Sequence, residues 1–339
     1  MISITILPPS LLQKEHTPFI DISKTMKYYI GHKILLCMGG GDMDAKSCAA
    51  FLRTADRGSI TKAAFALGYT QAGVSLIVKK IEEECGFPLL IREKDGVRLT
   101  PEGERMVPVM REIVRWNERF YETAEEIKGV SVGRVRIGCY SSVSYHLMPP
   151  VIREFHKDYP KIEIDVLEGD VHEIERWLEE NRVDVGFLSA RRGQKFRYVK
   201  IMRDPILAVL PPGHPMCGAE TFPLKAFGDG TFIVNDIEDS HPVIKAYEEQ
   251  YGPMPDMKIS STDQSVISMA ACGLGVSTYP ALQLLGHGEG VVTKRIDPPF
   301  FRTVIMGLRP EEELSPAARR FLDYIKKYLP ELTKSGEPL

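Results

Sequence analysis

Two glycines, Gly58 and Gly68, are each followed within two residues by a helix-capping hydroxyl, Ser59 and Thr70, leaving room between them for only about two helical turns. Ile60, Ala63, Ala64 and Leu67 recur there at three- and four-residue spacing, which predicts one short helix. Before it, Ala49, Phe51, Leu52 and Ala55 fall on one face of a helix running from Cys48 to Ala55. After it, Thr70 caps a third helix whose Val74, Val78 and Ile81 face inward, while Thr70, Gln71, Ser75 and Lys79 lie on other faces. Two helices around a tight Gly68-Tyr69 turn, with small Ala63 and Ala64 allowing close crossing, make a helix-turn-helix whose second helix presents its first residues to a DNA major groove. Past Gly86, Asp95-Gly96 predicts a type I′ hairpin between Leu89–Ile91 and Val97–Leu99. This wing carries Arg92, Lys94 and Arg98, suited to phosphate or narrow minor-groove contacts. Periodicity alone describes a purely structural three-helix core equally well.

Thr100-Pro101-Glu102 supplies a cap, a proline at the first helical position and a carboxylate near the positive helix end, so a long helix is expected over residues 101–128. Met106, Met110, Ile113, Val114, Trp116, Phe120, Tyr121, Ala124 and Ile127 give it more apolar surface than one core-facing stripe requires, and predict pairing with another helix. Pro108 is expected to kink it or confine its straight part to later turns.

Beyond a flexible hinge at Gly129–Gly133 the pattern becomes strand and helix in alternation: strand at 135–138, helix at 147–159, strand at 162–166, helix at 171–180, strand at 183–188. This order implies a parallel, doubly wound sheet. A second half starts near Pro205, with strands at 206–211 and 231–234 and a helix at 265–271. The chain then returns through Arg302–Leu308 and ends in a helix at 316–328. Two α/β lobes joined by two crossings, over residues 134–327, place a ligand in the cleft between them. Its lining is expected from loops after strands: Ser141, Ser142 and Ser144, then Gly169 and Asp170, Asn235 and Asp236, and Thr262 and Asp263. Hydroxyls and amides at helix starts suit a carboxylate or other small anion. Ser141 and Ser142 read equally well as caps, and the three aspartates are good capping residues that would otherwise favour a hydroxyl- or amine-bearing ligand.

At 339 residues, 43% hydrophobic and 26% charged, the chain has the composition of a soluble globular protein of about two domains. A net charge of −3 means that nucleic-acid binding must rest on local basic residues. The six cysteines include no C-x-x-C pair, which argues against a zinc site or disulfide framework and suits a reducing cytoplasm. No apolar stretch approaches the roughly 20 residues of a membrane span. Neither a nucleophile motif, a phosphate-binding glycine loop nor H-E-x-x-H occurs, and the eight histidines are scattered, so no enzyme, metal or cofactor is expected. Residues 1–42 lack sustained periodicity and are expected outside the fold. One reading starts translation at Met43, with Gly39-Gly40-Gly41-Asp42 encoded by a ribosome-binding sequence read in frame; the other makes the segment a disordered tail.

The ordered run Gly58–Ala64, Leu67–Ser75, Lys80–Leu90, Arg92 and Leu99–Gly103 resembles the signature of the bacterial LysR-type transcriptional regulators. Tyr159-Pro160, Val183–Gly186, Gly213–Pro215 and Gly273–Val276 extend the resemblance across the second half. It implies an α/β protein with an α-rich N-terminal winged helix-turn-helix over 44–100, a linker and dimerisation helix over 101–128 and a two-lobe effector domain over 134–327. Double-stranded DNA would be contacted by Ser59, Thr70, Gln71, Ala72, Ser75, Leu76, Lys79, Arg92, Lys94 and Arg98. A small effector and assembly into homodimers or homotetramers are implied as well. The chain departs from the usual pattern at Ala72, Gly73, Leu76, Ile77 and Leu90, which bears on the operator and not on the class. Gln71 can pair in bidentate fashion with adenine, and Leu76 either touches a thymine methyl or packs on a neighbour. The competing readings are a solute-binding or catalytic two-lobe protein, which leaves residues 44–100 unexplained, and an architectural DNA-binding protein that no metabolite stabilises.

Overall fold

The computed structural model describes residues 43–191, 193–194, 196–235, 242–254, 258–261, 264–286 and 288–333. The expectations for residues 1–42, Asp236, Thr262 and Asp263 lie outside these residues.

Helix α1 (Ala45–Arg57) begins where the Asp44 carboxylate accepts from Ser47 N–H at 2.7 Å, and ends at Gly58 in the left-handed region. Helices α2 (Ile60–Leu67) and α3 (Gln71–Cys85) are capped by Ser59 and Thr70 and closed by left-handed Gly68 and Gly86. The apolar faces of the three meet around Cys48, Phe51, Ala64, Val74, Val78, Ile81 and Leu89, joined by Val107 and Met110 of the next helix. Each large side chain so buried contributes about 1.5–3 kcal/mol.

Strands β1 (Leu90–Glu93) and β2 (Gly96–Leu99) form the wing, with Glu93 opposite Gly96. The expected Asp95-Gly96 type I′ turn is corrected: the loop residues are Lys94 and Asp95, and Asp95 does not adopt positive φ. The reason is packing. Val97 N–H donates to Gly58 O at 2.9 Å, and a Cβ on Gly96 would lie 2.2 Å from that same carbonyl, so Gly96 is drawn into the strand against the end of α1.

Helix α4 (Pro101–Ile127) starts at Thr100, whose hydroxyl accepts from Gly103 N–H and donates to Pro88 O, both at 2.9 Å. The helix runs continuously through Pro108 for 27 residues, with Val107 and Met110 in the core shared with α1.

The first lobe of the remaining chain comprises β3 (Gly133–Cys139), α5 (Ser141–His146), α6 (Met148–Asp158), β4 (Ile162–Glu168), α7 (Val171–Glu179) and β5 (Val185–Ser189), with β3 parallel to both β4 and β5. Helix α5 precedes the start expected at Leu147. Its anchor is burial of Val143 and Leu147, with no side-chain cap at Tyr140 to mark it in the sequence. Strand β6 (Arg197–Leu210) then carries the chain into the second lobe, where β7 (Thr221–Pro223), β8 (Phe232–Asn235), α8 (Pro242–Tyr251), β9 (Lys258–Ser261), α9 (Gln264–Ala271), β10 (Ser277–Pro280) and α10 (Ala281–Leu284) follow. Strand β11 (Val292–Leu308) brings the chain back, and α11 (Pro316–Thr333) closes the first lobe. The strands expected at 206–211 and 302–308 are thus the ends of two long antiparallel crossings. They occupy the centre of a sheet ordered β10-β6-β11-β5-β3-β4, while β8 and β9 pair separately in parallel. Val135, Ile137, Phe155, Phe187, Met306 and Phe321 fill the first lobe; Phe222, Phe227, Phe232 and Ile296 fill the second.

Candidate DNA interface and interlobe site

On the outward face of α3, Gln71, Ala72, Leu76 and Lys79 are exposed and Ser75 is half-buried beside them. Gln71 is placed by the cap before it, where Thr70 Oγ1 accepts from Gly73 N–H at 3.0 Å. Ser59 is half-buried and committed to capping α2, accepting from Lys62 N–H at 3.3 Å. The wing is tied to the reading helix directly: Arg92 Nη2 donates to Ser75 Oγ at 2.9 Å. Arg98 pairs with Glu93 at 2.6 Å across the hairpin, and exposed Lys94 stands at the tip. The structure therefore brings Gln71, Ala72, Ser75, Leu76, Lys79 and Arg92 to one surface, while Arg98 makes an exposed pair with Glu93 within the wing. Glu82 turns inward, its carboxylate accepting from Leu89 and Leu90 N–H at 2.7 and 3.0 Å, so it fixes the approach to the wing.

Along α4, Val109, Trp116, Phe120, Tyr121 and Ile127 are exposed, Ile127 to 83%. The opposite side docks on the first lobe through ions. Arg115 bonds the Asp184 carboxylate and donates to Asn181 O at 2.8 Å, and Arg136 makes two bonds to Glu118 at 2.7 and 3.0 Å. Arg309 bridges Glu112 and Glu313. Glu122, buried, accepts from Arg134 N–H and Ala317 N–H; burial pushes its carboxyl above the usual range, opposed by those bonds and one from Ser315. Gly133 lies close against this carboxylate, where a Cβ would stand 2.5 Å from Glu122 Oε1.

Between the lobes, Arg302 on β11 stands directly opposite Asp204 on β6. Its Nε donates to Asp204 Oδ2 at 2.8 Å, its Nη2 donates to Ser142 Oγ at 2.9 Å, and its guanidinium lies 4.8 Å from the centre of the Tyr140 ring. Asp204, 1% exposed, also accepts from Leu282 N–H at 3.0 Å, so one carboxylate holds both crossings and the start of α10. The Tyr140 hydroxyl is 3.5 Å from Ser189 Oγ, and burial raises its pKa. Among the expected residues, Ser142 joins this cluster. Ser141 and Ser142 both follow the capping position, which Tyr140 holds. Ser144 donates to Glu168 at 2.8 Å. Gly169 lies where a Cβ would strike the Trp177 ring at 2.5 Å, and Asp170 caps α7 in a reciprocal pair with Glu173. Asn235 ends β8. Arg302, Asp204 and Tyr140 were not expected; an opposite charge pair inside two strands otherwise rich in apolar residues is the signal that could have revealed them.

Cys48 and Cys139 are buried, and desolvation pushes their thiols up to about 11 and about 12. Among the described residues the cysteines are free, no group of three or more His, Cys, Asp or Glu could hold a metal, and no helix is long and apolar enough to cross a membrane.

Comparison with known families matches residues 46–104 to the bacterial regulatory helix-turn-helix proteins of the lysR family, and residues 128–330 to the LysR substrate binding domain. The chain belongs to the LysR family. The YvbU regulator of Bacillus subtilis, itself uncharacterised, is 32% identical over 281 residues, 82% of this chain and 96% of that one. A full-length OxyR variant from Pseudomonas aeruginosa superposes with a TM-score of 0.65 at 21% identity, covering 85% of this chain and 95% of that one. Full-length CbnR solved with its target DNA gives 0.59 at 17% identity, covering 84% and 99%. At these identities the two structures establish the fold alone. As a LysR protein, the chain is a DNA-binding transcriptional regulator whose activity is modulated by a small-molecule effector.

Proposed function

We propose that α3 reads an operator through Gln71, Ala72, Ser75, Leu76 and Lys79, with Thr70 and Ser59 at the helix starts and Arg92, Lys94 and Arg98 of the wing on the backbone or minor groove. The observation that carries this is the shared outward surface of α3 and the wing, joined by the Arg92–Ser75 bond. The effector, a carboxylate or other small metabolite, sits between the lobes at the Arg302–Ser142–Tyr140 cluster, with Ser141, Ser144, Gly169 and Asp170 on the first-lobe side. Residues 44–100 are the reading head, 101–128 the linker and 134–327 the sensor, working in the cytoplasm. The exposed apolar side of α4 supports pairing of two chains, as a homodimer or within a homotetramer, so that two heads meet an interrupted inverted repeat. Effector binding shifts the lobes or the dimer and thereby transcription nearby.

The test is a fluorescence anisotropy titration of the protein against its own upstream DNA and a scrambled duplex at two salt concentrations. A preference of about a thousandfold or more is expected. Equal, salt-sensitive binding to both would overturn the assignment of that operator.

A further inference from the structure

A groove of about 790 Å³ lies where α1, α4 and the first lobe meet, a size suited to a metabolite. Seven arginines line it against three carboxylates, Asp56, Glu118 and Asp165. Four of the arginines are neutralised: Arg111 by Asp56 at 3.0 Å, Arg115 by Asp184, Arg134 by Glu163 and Arg136 by Glu118. Arg53 and Arg57 on α1 and Arg182 on the lobe carry no ion pair among the described residues. Arg182 follows Asn181, which holds φ of 58° and whose carbonyl is fixed by Arg115, and its guanidinium lies 5.0 Å from the centre of the Trp177 ring. It is thus held at the groove's rim on a set backbone. Arg111, whose side chain is nine-tenths buried in the same joint, has an Nε–H with no acceptor. Its nearest second carboxylate, Glu180, stands 4.0 Å from Nη2. The joint has more donors and positive charge than its own carboxylates satisfy.

We propose that this groove is a second ligand site, separate from the interlobe cleft, and that it takes a small polyanionic metabolite bearing two or three negative charges, a phosphate ester or a polycarboxylate. Arg53 and Arg57 hold the ligand from the reading head and Arg182 holds it from the sensor. Arg111 is the buried partner that a displaced Asp56 would leave for it. Bound there, a polyanion staples the head to the first lobe and biases the angle at which the head meets DNA.

Isothermal titration of the full chain in its native assembly with inorganic pyrophosphate and with citrate tests this. Saturable binding of at least one of the two is expected, weakened about tenfold or more in Arg182→Gln, because a lost charge-assisted contact is worth at least that much. Arg153→Gln removes the same charge from an exposed site on α6 outside the groove, and should bind like wild type. Hydrogen exchange should slow in α1 and around Asn181 when pyrophosphate is added to wild type, and not in Arg182→Gln. Absence of saturable binding by both probes overturns the proposal, as does an equal loss in Arg153→Gln and Arg182→Gln, or unchanged affinity in Arg182→Gln. Weaker duplex binding by Arg182→Gln than by wild type in the absence of pyrophosphate also overturns it, since the arginine would then belong to the DNA interface. Operator preference, measured on the same preparations, stands or falls separately.

Discussion

Arg302 and Asp204 carry the sharpest consequence of any two side chains in the sensor. The carboxylate is almost fully enclosed and accepts from both Arg302 and Leu282, so its removal leaves the largely buried Arg302 guanidinium without its charge partner. Asp204→Ala should lower stability by about 3–5 kcal/mol in urea denaturation; a loss below about 1 kcal/mol would mean that the guanidinium finds water or another acceptor. On the reading head the two key side chains should fail differently. Gln71→Ala should erase the difference between operator and scrambled duplex, as expected for a base-reading amide. Arg92→Ala should weaken every duplex and flatten the salt dependence. Wild-type behaviour in both variants would move the reading surface elsewhere on the head. Ser75 is held by Arg92 before DNA arrives, so this variant also frees the hydroxyl, an effect visible as a change in base preference at one position.

Helix α4 carries a buried carboxylate whose titration should register in stability. Glu122 is enclosed between α4, β3 and α11, and desolvation raises its pKa above that of a glutamate in the unfolded chain. The folded state therefore holds this proton more tightly. Over the window that opens at the ordinary glutamate value and extends upward, its contribution to stability is greatest at the low end and falls as pH rises. Denaturation of wild type and Glu122→Gln at about pH 5 and about pH 7 should show wild type losing ground to the variant as pH increases; a constant difference would refute the assignment. Elements were unevenly legible in the sequence. The starts of α2, α3 and α4 and the end of α2 could be placed to within a residue because Ser59, Thr70, Thr100 and Gly68 act on their own neighbours. Helix α5 could not, since hydroxyl-rich Tyr140–Ser144 reads as loop and only burial of Val143 and Leu147 makes it helical. The wing turn shifted by one residue because Gly96 meets Gly58 from another element. The Arg302–Asp204 pair joins residues nearly a hundred positions apart, and cross-strand register over that span is a property of the folded sheet.

At the scale of the whole molecule, the ions of α4 face inward to the sensor and its aromatic residues face outward. Trp116 and Phe120, exposed to 53% and 66%, lie one helical turn apart on the outward side. If two chains pair through this side as proposed, Trp116→Glu with Phe120→Glu should convert dimers to monomers in analytical ultracentrifugation while the sensor keeps its unfolding transition; an unchanged mass would overturn that pairing surface. The path of the chain also dictates an order of events during synthesis. The first lobe needs Val304 and Met306 from β11 and Phe321 and Ile325 from α11 to complete its interior. The second lobe is inserted between the two halves of the first, as the β6 and β11 crossings make plain. On the ribosome the reading head can therefore close early and the inserted lobe before the chain ends, whereas the lobe begun at Gly133 stays open until the last helix emerges. The core of the reading head is thus complete in the chain well before that of the sensor.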